Sequence, residues 1–251
     1  MGALRVERDG PVLRVTLARP EQRNAFDAEL IAELTETFAG ARDARAVVLA
    51  GEGASFCAGA DVEWMRSSVD LTYEENVEDA VRLLKMLEAV DGCPTPVVAR
   101  IQGHALGGGA GLVACADVAV AAKDAVFAFS EVKLGLIPAV ISPFVLAKIG
   151  PSWARRYFLT GERFDAATAL RIGLVQEVAA ELDGAVERIL AEIIAGGPEA
   201  VRAAKLLVRD RPDGVETARR IAERRAGAEG QEGLRAFLEK RAPRWRSEGS
   251  S

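Results

Sequence analysis

The sequence predicts an α/β fold with largely parallel strands, followed by a helical C-terminal region. Three observations carry this. Short apolar runs alternate with helical stretches over the first half of the chain, two Gly-rich turns each follow such a run and precede a helical stretch, and after about residue 137 almost every segment reads as helix. Strands that alternate with helices pair in parallel through right-handed crossovers, because the connecting helix has to pack back onto the twisted sheet.

Residues 12–18, VLRVTLA, alternate apolar and polar as a half-buried strand does. Arg19-Pro20 ends the run, since proline has no N–H to give to a ladder. Asp27 precedes a segment in which Leu30, Ile31, Leu34 and Phe38 recur at helical spacing, and its short carboxylate suits an N-cap. AVVLA (46–50) and PVVARI (96–101) are short apolar strands on either side of a helical stretch at 73–90, and ADVAVAA (116–122) and VFAFS (126–130) add two more strands. Helices are expected next at 140–149, 151–160, 165–171, 181–196, 198–208, 214–228 and 230–240, with only LVQEV (174–178) extended. No low-complexity linker or repeat divides the chain. Residues 1–190 read as an α/β core and 191–251 as a helical C-terminal region. The last helices carry too much apolar surface to stand alone, so they are expected to pack on the core or on a neighbouring subunit.

The 251 residues are 49% hydrophobic and 27% charged, an ordinary globular mixture long enough to bury one core. The net charge of −5 does not supply the basic face of a general nucleic-acid binder. Arginines do cluster late, at Arg219, Arg220, Arg224, Arg225, Arg241, Arg244 and Arg246, but Glu216, Glu223 and Glu229 are interleaved, as on a solvated face or a subunit contact. One histidine and three cysteines rule out Cys-rich zinc modules, HExxH metalloproteases and any Ser-His-Asp triad not built on His104. Three thiols cannot all pair, MGALRVERDG lacks the apolar stretch of a signal peptide, and no apolar run approaches the ~18 residues of a membrane span. A cytoplasmic protein without a membrane partner is expected.

The chemistry is expected at the two Gly-rich turns, Gly51–Asp61 and Gly103–Gly111. Small residues let a ligand approach the backbone closely, and free N–H groups at a helix start favour negative charge. Two such turns on neighbouring strands can aim two N–H donors at one developing oxyanion. The bland alternative is tight packing alone. A second alternative, dinucleotide binding, has only the loose fit Gly109-x-Gly111-x-x-Ala114, which lies too far beyond its strand. Glu131, just after an apolar strand and before a Gly/Pro turn, either sits at a pocket floor, where burial fits it for acid–base work, or pairs with Lys133 or an arginine. Asp61 reads most simply as an N-cap and His104 as a turn or core residue. Cys57 and Cys115 read as small buried residues. Trp64 and Met65 either line an apolar pocket or fill core.

The segments Arg19-Pro20-Glu21-x-Arg23-Asn24-Ala25-Phe26, Phe56-Cys57-Ala58-Gly59-Ala60-Asp61 and Gly103-His104-Ala105-Leu106-Gly107-Gly108-Gly109, with Pro138 in LGLIP and the ending Ala236-Phe237-Leu238-Glu239-Lys240-Arg241-x-Pro243-x-Trp245, together resemble the enoyl-CoA hydratase/isomerase, or crotonase, superfamily. The resemblance runs in order over essentially the whole chain. It implies a crotonase-like spiral of ββα units, a helical C-terminal oligomerisation region, and a homotrimer or a hexamer made of two trimers. It implies an acyl-CoA thioester substrate and no separate cofactor or metal, coenzyme A being part of the substrate. By position, the N–H groups of Ala60 and Gly108 would hold the thioester oxygen and Glu131 would be the acid/base. Ala58, Asp61, Trp64, Met65, Gly107, Pro138 and Val140 would contact substrate, with Arg23 and Ala25 near the nucleotide end of coenzyme A. Phe237 and Lys240 would complete that end, across a subunit boundary in some members.

One departure bears on mechanism. Straight-chain hydratases of this resemblance carry two glutamates, and this chain has Gly111 at the first position and Glu131 at the second. Glu52 and Glu63 are the nearest substitutes in sequence. The stretch FSEVKLGLIPAVISPF, with GGGAGL before it, looks most like bacterial hydratases of branched acyl-CoAs, including the methylglutaconyl-CoA hydratases of leucine breakdown. A dicarboxylic substrate would want a distal cation, for which Arg66 and Lys133 are the nearby choices. The reading is therefore a hydratase of a branched, 3-methylglutaconyl-CoA-like enoyl-CoA. Its alternatives are a 3,2-trans-enoyl-CoA isomerase working with one glutamate, and a non-catalytic acyl-CoA-binding subunit. Relatives with RNA affinity exist, but nucleic acid is not the expected partner.

Overall fold

The computed structural model describes residues 2–247. Strands β1 (Leu4–Asp9) and β2 (Val12–Leu17) form an antiparallel hairpin. β1 escapes the sequence reading because LRVERD is charged and almost wholly exposed. From β2 the sheet continues in parallel through β3 (Ala46–Gly51) and β4 (Val97–Ile101). Helix α1 (Ala28–Gly40) makes the first crossover, and α2 (Val62–Ser67) and α3 (Tyr73–Asp91) make the second. Asp27 does cap α1, accepting from Leu30 N at 2.8 Å, and Leu30, Ile31, Leu34 and Phe38 are the buried face.

The Gly-rich turn at 103–111 is more than a turn. It contains a short strand, β5 (His104–Leu106), before α4 (Gly108–Cys115) begins. The next unit repeats the plan: β6 (Val118–Ala122) joins β4 in the large sheet, and β7 (Val126–Ala128) joins β5 in a small one. An isolated parallel bridge, Cys57 to Ala105, puts the first Gly-rich loop in the corresponding place beside β5. Each unit thus lays one strand in the large sheet, one extended segment in the small sheet, then a helix. VFAFS is cut short because after Ala128 the chain turns into a 3-10 turn, Glu131–Leu134.

Helix α5 (Ser142–Thr160) is the pair expected at 140–149 and 151–160, joined at Gly150. There φ is +69°, a glycine conformation, and Pro151 restarts the helix where no N–H is needed. β8 (Phe164–Asp165) and α6 (Ala166–Ile172) follow. In LVQEV only β9 (Glu177–Ala179) is extended, while Leu174 and Val175 are buried as core. The two sheets are ordered β1-β2-β3-β4-β6-β9 and β5-β7-β8.

Alternation along the central strands makes two cores. Val47, Leu49, Val97 and Ala99 face α1, α3, α4 and α5, while Ala46, Val48, Val98 and Val120 face α7 (Leu182–Ala195). Beyond Leu190, Ala236 is the one buried apolar residue among those described. Helices α8 (Pro198–Asp210), α9 (Gly214–Ala226) and α10 (Ala228–Leu238) leave Val208, Val215, Ile221, Phe237 and Leu238 exposed, and a short helix α11 (Arg244–Ser247) ends the described chain. Lys205 ties α8 to the core through Asp117 at 2.7 Å. Among the described residues no helix is long and apolar enough to cross a membrane.

Candidate active site

The two Gly-rich loops are laced together by backbone. Cys57 N donates to His104 O (2.9 Å) and Leu106 N to Cys57 O (3.0 Å), while Phe26 N, from the segment before α1, donates to Gly59 O (2.7 Å). The first loop is also held by Asn24, which is fully buried in the left-handed region (φ +56°). Its amide donates to Glu52 O (2.9 Å) and Ser55 O (2.8 Å), and its Oδ1 accepts from Arg19 N (3.0 Å). Arg19 in turn pairs with Asp27 (2.8 Å) and Asp61 (3.2 Å).

Glycine is required where the loops meet. A Cβ at Gly109 would lie 2.3 Å from Cys57 O, and one at Gly59 would lie 2.8 Å from Leu106 O and 3.7 Å from Gly108 N. This close approach brings Ala60 and Gly108 to one cavity of about 380 Å³. Among the described residues neither Ala60 N nor Gly108 N donates to a backbone carbonyl. For Gly108 this follows from its place at the start of α4, where helical N–H groups have no partner.

Glu131 enters from the third unit. Its carboxyl packs against Gly107, where a Cβ would lie 3.4 Å from Oε1. Its Oε2 is buried with no hydrogen-bond partner, and burial pushes its pKa above the ordinary 4.5. Among the described residues it forms no salt bridge to Lys133 or an arginine; the pocket-floor alternative is the one the geometry takes. Gly111 shows why a second acid is absent at its position. A Cβ there would lie 2.4 Å from Ile141 Cγ2, so Ile141 fills that space with hydrocarbon.

Of the residues singled out in the sequence, Ala58, Ala60, Trp64, Met65, Gly107, Gly108, Glu131, Pro138 and Val140 line the cavity. Asp61 does not: its carboxylate caps α2, accepting from Glu63 N at 2.8 Å and Trp64 N at 3.4 Å, and pairs with Arg19. Arg23 is exposed and Ala25 is buried with its carbonyl on Arg19, both outside the cavity. Phe237 and Lys240 are exposed at the far end of α10. The substitutes Glu52 and Glu63 pair with Arg5 and Arg66 and stay outside, and neither Arg66 nor Lys133 lines the cavity. Gly109 and Gly111 are helical residues of α4, which disposes of the dinucleotide fingerprint. His104 meets Ser55 Oγ at 3.5 Å, outside the cavity. All three cysteines are free and buried, and burial pushes the Cys57 thiol up to about 12, far from a nucleophile.

The sequence reading missed Phe26, Asn76, Asp79, Leu83, Leu136 and Ile137 as lining. Asn76, Asp79, Ala80 and Leu83 follow the i, i+3, i+4, i+7 spacing of one helix face. That spacing is the available signal, but the stretch at 73–90 is expected only as a helix, with no face assigned to a site.

Two unpaired N–H groups and an unpartnered carboxyl around one apolar cavity define a site that can hold a carbonyl oxygen as it gains charge while one proton moves. Known proteins agree with that class. Residues 7–248 match the family model described as Enoyl-CoA hydratase/isomerase. An enoyl-CoA hydratase of Alternaria alternata is 33% identical over 237 residues, covering 90% of this chain and 78% of that one. The crystal structure of an enoyl-CoA hydratase from Shewanella pealeana superposes with a TM-score of 0.92 at 39% identity, covering 97% of this chain and 96% of that one. A Pseudomonas aeruginosa protein named AtuE gives 0.92 at 39% identity, over 97% and 99%. The chain belongs to the enoyl-CoA hydratase/isomerase family and has the crotonase fold.

Proposed function

We propose that this enzyme adds water across the 2,3 double bond of a branched, apolar enoyl-CoA thioester. The observation that carries the reading is Glu131, whose unpartnered Oε2 sits in the same cavity as the unpaired N–H groups of Ala60 and Gly108. Water attacks C3 as the Glu131 carboxylate takes its proton. The double-bond electrons move to C2 and the thioester oxygen, which the two N–H groups hold as an enolate. The protonated Glu131 then returns a proton to C2. A carboxyl whose pKa is raised toward neutrality gives and takes a proton more evenly than an ordinary glutamate. Water and the thioester are the only reactants, so the reading needs no cofactor.

Leu83, Ile137, Val140 and Ile141 shape the acyl end. Among the described residues no lysine, arginine or histidine lines the cavity, which favours an uncharged chain over the dicarboxylic methylglutaconyl thioester. Arg23 and Ala25 are proposed at the nucleotide end, with Phe237 and Lys240 supplied by a neighbouring chain. The exposed apolar residues of α8–α10 support an oligomer of three or six copies built from residues 191–251. Sedimentation equilibrium should give a mass of three or six times 26.7 kDa, and a monomer would remove the shared-site reading. Three unpaired thiols support a cytoplasmic location.

A second reading, the 3,2-enoyl-CoA isomerase, is favoured by one observation: Ile141 occupies the space at Gly111, so among the described residues Glu131 is the one glutamate lining the cavity. The test follows conjugated-enoyl absorbance with 3-methylcrotonyl-CoA and with a straight 3-enoyl-CoA. A fall with the first is the expected result. A rise with the second and no change with the first makes the protein an isomerase. Binding without change in either makes it a non-catalytic acyl-CoA-binding subunit.

A further inference from the structure

We infer that Asp79 is a specificity-determining residue that excludes acyl chains ending in a carboxylate; the inference rests on the reading of this cavity as the acyl site. Asp79 lies on the α3 face that lines the cavity, one turn from Asn76 and Leu83. Its carboxylate is held by two donors, Trp64 Nε1 at 3.3 Å and Arg82 Nη2 at 2.8 Å. Both fall on Oδ1, which leaves Oδ2 without a donor among the described residues. The indole that fixes it is itself a cavity wall, so Asp79 is oriented by the site it borders.

The charges are arranged asymmetrically. The Asp79 side chain is 15% exposed, whereas that of Arg82 is 55% exposed and does not line the cavity. The carboxylate is thus the member of this ion pair that borders the cavity, while its cation stands outside the lining. The other ionisable lining residue, Glu131, is also an acid. A distal carboxylate entering here would be stripped of water, would meet no cation, and would face a like charge held in place by Trp64. An apolar chain can instead pack on Leu83, Leu136, Ile137 and Val140, which line the same cavity.

The test uses two saturated thioesters that differ only in a terminal methyl or carboxylate: 3-methylpentanoyl-CoA and 3-methylglutaryl-CoA. Their dissociation constants are measured by calorimetry on the full chain, so the result does not depend on turnover. The wild type is expected to bind the neutral thioester more than about tenfold tighter. Asp79→Asn keeps an acceptor for Trp64 Nε1 and should reduce that ratio to less than about threefold. The double variant Asp79→Asn/Arg82→Gln should give the same collapse, which shows that a released Arg82 is not attracting the carboxylate. Equal binding of the two thioesters by the wild type overturns the inference. So does a ratio that survives Asp79→Asn, which would assign the selectivity to desolvation alone. If neither thioester binds, the acyl-site reading falls and the inference falls with it.

Discussion

Replacing Glu131 by glutamine is expected to abolish turnover and, at neutral pH, to raise the melting temperature. Removing a positioned general acid/base typically costs ~10²–10⁴ in rate. The amide keeps the size and shape of the carboxyl beside Gly107, so binding of a saturated acyl-CoA should change little. The stability effect follows from the same burial. The folded-state pKa of Glu131 is raised above its ordinary value because burial penalises the charged form. Folding therefore favours the protonated form, and that stabilisation is fully present below the unfolded-state pKa and lost as pH rises through the raised one. Glutamine is neutral throughout. The melting-temperature gap between Glu131→Gln and wild type should open as pH rises through the raised pKa and close in acid. In the wild type, kcat/KM should fall on acidification through that same pKa, as the base is protonated. Full turnover in the variant would remove Glu131 from the chemistry, and a pH-independent gap would remove burial as the cause of its shift.

Much of the frame was legible because it is local. Asp27 and the spacing of Leu30, Ile31, Leu34 and Phe38 specify α1 without reference to the rest of the chain, and the unbroken apolar run AVVLA marks a strand buried on both faces. The two Gly-rich turns and Glu131 were legible as a site because each sits just after a strand. What lay outside reach was set by contacts between distant segments. Asn24 enters the sequence analysis only as one letter of the Arg19–Phe26 motif, yet its side chain binds Glu52 O and Ser55 O and so shapes a loop some thirty positions on. β5 was hidden inside a glycine run because its pairing is with Cys57 and β7, not with its neighbours in sequence. Asp61 was legible as the cap of α2, but its ion pair with Arg19, more than forty positions back, was not. Asp79 has the opposite history: in a charged amphipathic helix it looks like solvent face, and only the fold of Trp64 against it brings it to the cavity.

Gly109→Ala is expected to damage both stability and rate, and the two losses share one cause. A Cβ at this position would lie 2.3 Å from Cys57 O and 2.9 Å from Cys57 C, which is backbone and cannot rotate away. Cys57 O already accepts from Leu106 N at 3.0 Å, and Cys57 N donates to His104 O at 2.9 Å, so moving this carbonyl pulls on both links between the loops. Forcing a methyl into such packing costs ~1–3 kcal/mol. The strain can be relieved only by separating the start of α4 from the first loop, which moves Gly108 N–H away from Ala60 N–H. Misplacing one of two oxyanion donors costs ~10²–10³ in kcat. Gly184→Ala is the matched control, because nothing lies within 4 Å of its Cβ on helix α7, and alanine there should be neutral or stabilising by up to ~1 kcal/mol. Thermal melts and kcat measured on both variants separate packing from catalysis. A Gly109→Ala enzyme that melts early yet keeps its kcat would show that Gly108 does not hold the reacting oxygen. Loss of both, with Gly184→Ala unchanged, ties the oxyanion site to the contact between the two loops.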